Sequence, residues 1–504
     1  MRSNHSIFKC FLSVFLIFLI FGLGVNWGVG AQSDSYILKV EQHWDTFGVG
    51  GTCISGGHNL AVADVDGDGV KEMVTGGSTY YLLPNGSRTI RLAPLKIWNW
   101  DGNNLNLEKN YSWTGNIACV YAGDADGDGK TEIITTGNMI NSTGTYPSLR
   151  IWTWDGETLV LRGSYEGNPL GPVCVSDVDG DGKPEIITVG SSSNNTQSAM
   201  AELSVFRWNG NSLTLIKSVD WNGHANSVYA YDLNNDGQTE IVTAGYSNNL
   251  NNSRGQLRVW QFDGKNLALK SNAEWYTIDG AYSVDVAGNV MGNTLASNVK
   301  VADVDGDGVP EIVTVGFTYN GTKAEGQLRI WNWSGEVLNL EKSREWANLD
   351  ITQPTSVSIN DVDGDGKKEI VTSGCTAGYG SWAPNAPGKT RAELKVWSWD
   401  GNTITLKQSK DWIIGDAVYA WNVGTGDLDN DGINEIVTVG CMETGNLCDP
   451  DLRIWSLPVV PSSPVPYLLL VVFGAAITAI AVVMAALMHM RKTRQYSSHS
   501  RTIK

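Results

Sequence analysis

Seven in-register copies of one acidic nonapeptide, short β-rich runs spaced around each copy, and a strand-like start of chain that matches what is missing at its end predict an all-β fold. The fold class is a seven-bladed β-propeller of four-stranded antiparallel blades. Its ring is closed by the N-terminal strand, and one C-terminal transmembrane helix is added to it.

The nonapeptide is "DVDGDGVKE", Asp64 to Glu72, and it returns from Asp124, Asp177, Asp232, Asp303, Asp361 and Asp427, at intervals of 53 to 71 residues. Behind each copy comes a run such as "IITVG" or "IVTVG", then a polar loop of variable length, then a third run such as "LKIWNW" or "LRIWTW". In six repeats an Asp-Gly, Asn-Gly or Ser-Gly turn leads into a fourth run of the type "LNLEKNYSW". Val, Ile, Thr and aromatics bounded by Gly, Asn and Asp are strand composition, and the Gly dipeptides are hairpin turns that need positive φ. The seventh repeat stops after its third run, and "YILKVEQHW", Tyr36 to Trp44, matches the missing fourth. An open solenoid has no use for that permutation; a ring does, because it leaves no loose edge. Paired Trp residues two apart, such as Trp98 with Trp100 and Trp331 with Trp333, share a strand face and are expected to fill the gaps between blades.

Within the nonapeptide, carboxylates stand at positions 1, 3, 5 and 9, and Gly stands at position 6 in every copy. Alternate carboxylates on a tightly turned backbone converge on one point, the carbonyl at position 7 can add a ligand, and hard oxygens in a flexible loop select Ca²⁺ over Mg²⁺. The expected ligands are Asp64, Asp66, Asp68, Val70 and Glu72 in the first loop, and Asp124, Asp126, Asp128, Lys130 and Glu132 in the second. The third offers Asp177, Asp179, Asp181, Lys183 and Glu185; the fourth offers Asp232, Asn234, Asp236, Gln238 and Glu240. Asp303, Asp305, Asp307, Val309 and Glu311 form the fifth, and Asp361, Asp363, Asp365, Lys367 and Glu369 the sixth. Asp427, Asp429, Asp431, Ile433 and Glu435 complete the set, so up to seven Ca²⁺ are expected. A solvated turn would explain one such loop but not seven with acids in register.

These loops and runs resemble the FG-GAP/VCBS family of calcium-loop β-propeller repeats, also found in the integrin α-subunit headpiece. The resemblance covers about Tyr36 to Leu457 and implies Ca²⁺ in hairpin loops on one face of a seven-bladed ring. Position 9 is Glu where integrin-type loops usually have Asp. The Phe-Gly and Gly-Ala-Pro signatures are missing, with "TVG" in place of the latter. The chain is thereby similar to the broader VCBS-like branch.

Residues 1–31 have a basic start, an apolar run and a small-residue end, the layout of a secretory signal peptide, with an uncleaved anchor helix as the alternative. Residues 32–458 are then the ectodomain, 459–466 a linker, 467–490 a transmembrane helix and 491–504 a basic cytoplasmic tail. Acids are absent from both ends, so the middle holds 29 basic residues against 53 acids, a charge of −24. That surface excludes nucleic acid as a partner and favours bound cations.

Outside the cell cysteines can oxidise, and Cys441 with Cys448, flanking one loop, are a candidate local disulfide. Cys53, Cys119, Cys174 and Cys375 give no readable pairing. The acidic loops share one face with the Asp-Gly hairpins. On the other face, N-x-S/T triplets at Asn85, Asn141, Asn194, Asn251 and Asn320 are candidate glycosylation sites, each between strands two and three of its blade. Tyr379 and Trp382 lie on that face in an irregular loop and are the candidate ligand contacts. No nucleophile motif, phosphate loop or zinc cluster appears. The expected role is an extracellular, membrane-anchored adhesion or ligand-binding module for a protein or glycan, not an enzyme. The alternatives are a carbohydrate-active enzyme on this scaffold and a structural cell-envelope protein.

Overall fold

The computed structural model describes residues 36–43, 52–53, 58–82, 88–167, 170–193, 199–249, 252–276, 283–284, 290–319, 323–378, 390–444, 447–458 and 484–489. The expected signal peptide, linker and tail lie outside them, and so does the apolar run 467–490 apart from a six-residue helix at 484–489. Among the described residues no helix is long and apolar enough to cross a membrane.

The other described elements are β-strands, arranged as antiparallel meanders that follow the repeats. One unit is Gly115–Gly123, Glu132–Asn141, Gly144–Trp154 and Leu159–Glu166, each strand paired with the next. The same order holds in Val173–Ser176, Glu185–Ser193, Ala199–Trp208 and Leu213–Asn222. It holds again in the units that begin at His224, Val290 and Ile351. The first unit departs from this pattern. Its second strand is split into Glu72–Gly76 and Ser78–Leu82, and both pair with the long strand Arg88–Trp100. In the last, Ala417–Gly426, Glu435–Thr444 and Leu447–Ser456 are joined by Ile37–His43, which pairs antiparallel with Leu447–Ser456 from Ile37 opposite Ser456 to His43 opposite Asp451.

A bulge recurs where the third strand meets the fourth, just before the first aromatic: at Ile97/Trp98, Ile151/Trp152, Val205/Phe206, Val259/Trp260, Ile330/Trp331 and Val396/Trp397. A bulge adds local twist and re-aims a side chain. The extra residue, such as Glu108, Arg162 or Lys407, is on the fourth strand, and the indole beside the bulge donates its N–H to a Thr hydroxyl on the second strand. The pairs are Trp98–Thr75, Trp152–Thr135, Trp260–Thr243, Trp331–Thr314, Trp397–Thr372 and Trp455–Thr438, at 3.0 to 3.1 Å. Five of these rings also meet the aromatic that ends the preceding unit, Trp260 meeting Trp221 at 5.2 Å. Trp113 stacks on Trp152 at 5.4 Å, and Trp275, Trp346 and Trp412 approach Trp331, Trp397 and Trp455 at 5.0 to 5.1 Å. These rings are core between units, as their repetition predicts.

The last unit packs against the first as any neighbour does. Met73, Trp98 and Trp100 share one buried cluster with Leu428, Val437, Val439, Leu452 and Ile454. The first strands of all seven repeats line one cavity of about 200 Å³, to which they contribute Val62, Tyr121, Cys174, Tyr229, Lys300, Ser358 and Thr425.

Candidate metal centres

Each acidic nonapeptide joins the first and second strands of its unit, and its hydrogen bonding explains the motif letter by letter. The position-1 Asp accepts the N–H of the position-6 Gly at 2.8 to 3.1 Å in all seven loops. That Gly sits at φ between +84° and +92°, where a Cβ is disfavoured. The position-5 Asp accepts the N–H of position 7, as Asp68 does from Val70 at 2.7 Å. Lys130, Lys183, Gln238, Val309, Lys367 and Ile433 donate their N–H in the same way. The position-9 Glu places Oε2 on the N–H of position 2: Glu72 on Val65, Glu132 on Ala125, Glu185 on Val178, Glu240 on Leu233, Glu311 on Val304, Glu369 on Val362 and Glu435 on Leu428.

The remaining oxygens converge. Asp303, Asp305, Asp307 and Glu311 bring carboxylate oxygens within 4.8 Å of one another; so do Asp64, Asp66 and Glu72, Asp124, Asp126 and Glu132, and Asp177, Asp179 and Glu185. In the first loop Glu72 is 1% exposed, and its Oε1 is buried without a hydrogen-bond partner, as is Oδ1 of Asp429 in the seventh. A buried, unpartnered carboxylate oxygen is costly unless a cation meets it, so these loops fit a hard divalent ion. Burial, opposed by the position-2 N–H and reinforced by the neighbouring Asp side chains, pushes the Glu72, Glu132, Glu311 and Glu435 carboxyls up to about 7.

The loops also touch their neighbours. Where five loops have Gly at position 4, Asn235 and Asn430 stand there at φ of 57°, a region Asn tolerates. Their amides reach the carbonyls of Gly308 and Gly69 in the next loop round, at 2.7 and 3.3 Å. Each hairpin Gly lies against the position-3 side chain of the preceding loop: a Cβ on Gly102 would stand 2.9 Å from Asp429 Oδ2, and one on Gly401 2.8 Å from Asp305 Oδ2.

Three loops carry an occupant that the motif does not reveal. Arg207 donates to Asp179 and Glu185 in the third. Gln261 donates to Glu240 in the fourth, where Asn234 also donates to Asp236. Lys407 donates to Asp363 and Glu369 in the sixth. Burial disfavours the Lys407 ammonium, but those two hydrogen bonds outweigh it and hold its pKa above the usual lysine range.

On the opposite end, Asn141 is exposed at the turn between its strands, its side-chain oxygen accepting the N–H of Thr143 at 2.8 Å. Asn85, Asn194, Asn251, Asn320, Tyr379 and Trp382 lie outside the described residues. Cys441 and Cys448 are buried on adjacent strands, opposite Pro450 and Glu443. Next to Cys441, Tyr419 and Trp421 stack 4.9 Å apart at an interplanar angle of 6°, half-buried, on a two-residue bulge at the start of their strand. Sequence reading missed this pair, although residues two apart on one strand share a face.

Three comparisons bear on this geometry. A family model described as FG-GAP-like repeat matches residues 177–243 and 303–372, each stretch running from the first Asp of one acidic loop into the strand after the next. A T-cell immunomodulatory protein homolog of Plasmodium falciparum (isolate 3D7) is 25% identical over 261 residues, covering 48% of this chain and 33% of its own length. The chain thus spans about a third of that relative. Among solved structures, the V. cholerae biofilm matrix protein Bap1 is similar at a TM-score of 0.42 and 13% identity, over 86% of this chain and 92% of that one. With the loops and strands in register around those matches, the chain carries FG-GAP-like repeats.

Proposed function

We propose that the protein is an extracellular, membrane-anchored binding module. In this reading the seven repeats are the blades of one closed propeller, Ca²⁺ in the acidic loops fastens one end, and the other end engages a protein or glycan. Closure is supported by the cluster shared between the first and last units and by the cavity that all seven first strands line. Ca²⁺ is supported by the orphaned Glu72 and Asp429 oxygens; it would be held by the Asp and Glu side chains at positions 1, 3, 5 and 9 and would neutralise their repulsion.

One observation carries the binding role: the flat Tyr419–Trp421 stack, at the end away from the acidic loops, in a unit whose other strands follow the repeat. Parallel aromatic faces with polar edges are what sugar rings and flat side chains pack against. The test is a glycan array probed with the full chain in detergent, beside its Trp421→Ala variant. The expected result is retention without turnover, lost in the variant. Shortened oligosaccharide products would make the protein an enzyme. Equal retention by the variant would remove the stack from the ligand site.

A further inference from the structure

The seven loops share a backbone, but the side chains above them differ, and the difference falls on the atoms a metal would use. In the third loop the terminal guanidinium nitrogen of Arg207 that bonds Glu185 Oε1 also lies 2.8 Å from Asp179 Oδ2 and 3.3 Å from Asp181 Oδ2. In the sixth the Lys407 ammonium lies 2.6 Å from Asp363 Oδ2, 2.8 Å from Glu369 Oε1 and 3.4 Å from Asp365 Oδ2. Each cationic nitrogen therefore touches positions 3, 5 and 9 at once. The two arrive by different routes: Arg207 from the third strand between Phe206 and Trp208, Lys407 from the fourth strand.

The first and fifth loops are built the opposite way. Asn99 and Asn332 stand where the third unit has Arg207. Glu108 and Glu341 stand where the sixth has Lys407, each close enough to the cage to repel its carboxylates. Glu72 Oε1, the oxygen that Glu185 and Glu369 turn to Arg207 and Lys407, is left without a partner.

We infer that the third and sixth loops hold Arg207 and Lys407 in place of a divalent cation, so that the chain takes Ca²⁺ in the other loops only and keeps two hairpins fastened when Ca²⁺ is withdrawn. A metal entering either loop must first expel a side chain that makes several charge-assisted hydrogen bonds, and the freed cation then faces the metal's own charge. The inference rests on the metal reading of the loops proposed above.

The test counts metal bound to the stripped full chain in detergent, by calcium titration with elemental analysis, for the parent and for Arg207→Asn and Lys407→Glu. These substitutions install the side chains of the first and fifth units. The parent should bind no more than about five ions, and each variant one more. Seven ions in the parent would overturn the inference while leaving the metal reading intact. No ions in any of the three would sink both. A parent below seven with no gain in either variant would overturn the inference alone. Hydrogen exchange on the parent covers the case of a variant that misfolds. Under chelator the amides of Gly182 and Gly366 should keep their protection while those of Gly69 and Gly308 lose it at least tenfold. Equal loss at all four would overturn the inference.

Discussion

Thr188 shows what the repeated indoles contribute. In six repeats the Thr hydroxyl of the second strand accepts an indole N–H; in the third, Phe206 replaces the Trp and Oγ1 of Thr188 is buried without a partner. A buried neutral hydrogen bond is worth about 1 kcal/mol net, and an abandoned partner costs about 1–3 kcal/mol. Trp331→Phe should therefore destabilise by roughly that amount, and Thr314→Val in the same chain should recover part of the loss. Denaturant melts of the two single variants and the double variant measure the coupling; strict additivity would show that the bond does not matter. A second residue sets a pH response. Burial, helped by the nearby Lys300 charge, lowers the His58 pKa to about 4 against the opposing hydrogen bond to the Asn226 carbonyl at 2.8 Å. The folded pKa lies below the unfolded value of about 6.5, so the folded chain binds fewer protons there, and stability present above pH 6.5 is lost as pH falls toward 4. At 1.36 kcal/mol per pKa unit the loss approaches about 3 kcal/mol. His58→Gln in saturating Ca²⁺ should flatten that part of the melting profile; an unchanged slope would place the sensitivity elsewhere.

The hairpins between third and fourth strands work beyond their own unit. Gly102, Gly156, Gly210, Gly264, Gly335 and Gly401 adopt φ of +81° to +91°, which the turn requires. Five of the six also lie close against the position-3 carboxylate of the preceding loop, whereas Gly335 has only Asn234 Nδ2 within reach, at 3.6 Å. Any L-residue at these positions costs about 1–2 kcal/mol through backbone strain. Gly335→Ala should show only that. Gly401→Ala should add a weakened fifth loop, because the new methyl displaces Asp305. Calcium affinity at that loop, measured beside the melting temperature, separates the two; identical behaviour would mean that the units do not lean on one another there. The turns, the strands and the convergence of carboxylates were legible in the sequence because each follows from local chemistry repeated seven times. The bulge before each aromatic was not, since it depends on pairing register. The side chains that fill the third and sixth loops were not either. They occupy positions that vary from repeat to repeat, more than twenty residues from the acids they meet, so the motif presented seven equal cages.

At the scale of the whole molecule, everything turns on how the first and last units are joined. Ile37–His43 is separated from Leu447–Ser456 by nearly the full described chain, yet it pairs with that strand from Asp451 to Ser456. Side chains reinforce the pairing: Arg453 donates to Glu41 at 2.8 Å and to Asp451 at 3.0 Å, and Tyr36 meets Trp455 edge-on at 6.0 Å. Without this strand, Leu447–Ser456 would be a free edge beside a buried cluster, and such an edge recruits other chains. Deleting residues 36–44 removes no side chain of the seven acidic loops, so a loss of stability on deletion does not come from losing their carboxylates. The net stability of a folded protein is only about 5–15 kcal/mol, and the pairing joins units that are otherwise neighbours at a seam. The deletion should therefore lower the melting temperature markedly and promote association between chains, even in saturating Ca²⁺. A synthetic peptide of residues 36–44 should restore the melting temperature in a concentration-dependent way, since a ligand of the folded form stabilises it by mass action. A deletion variant that melts with the parent, or that the peptide fails to rescue, would show that the N-terminal strand decorates the last unit without holding the molecule shut.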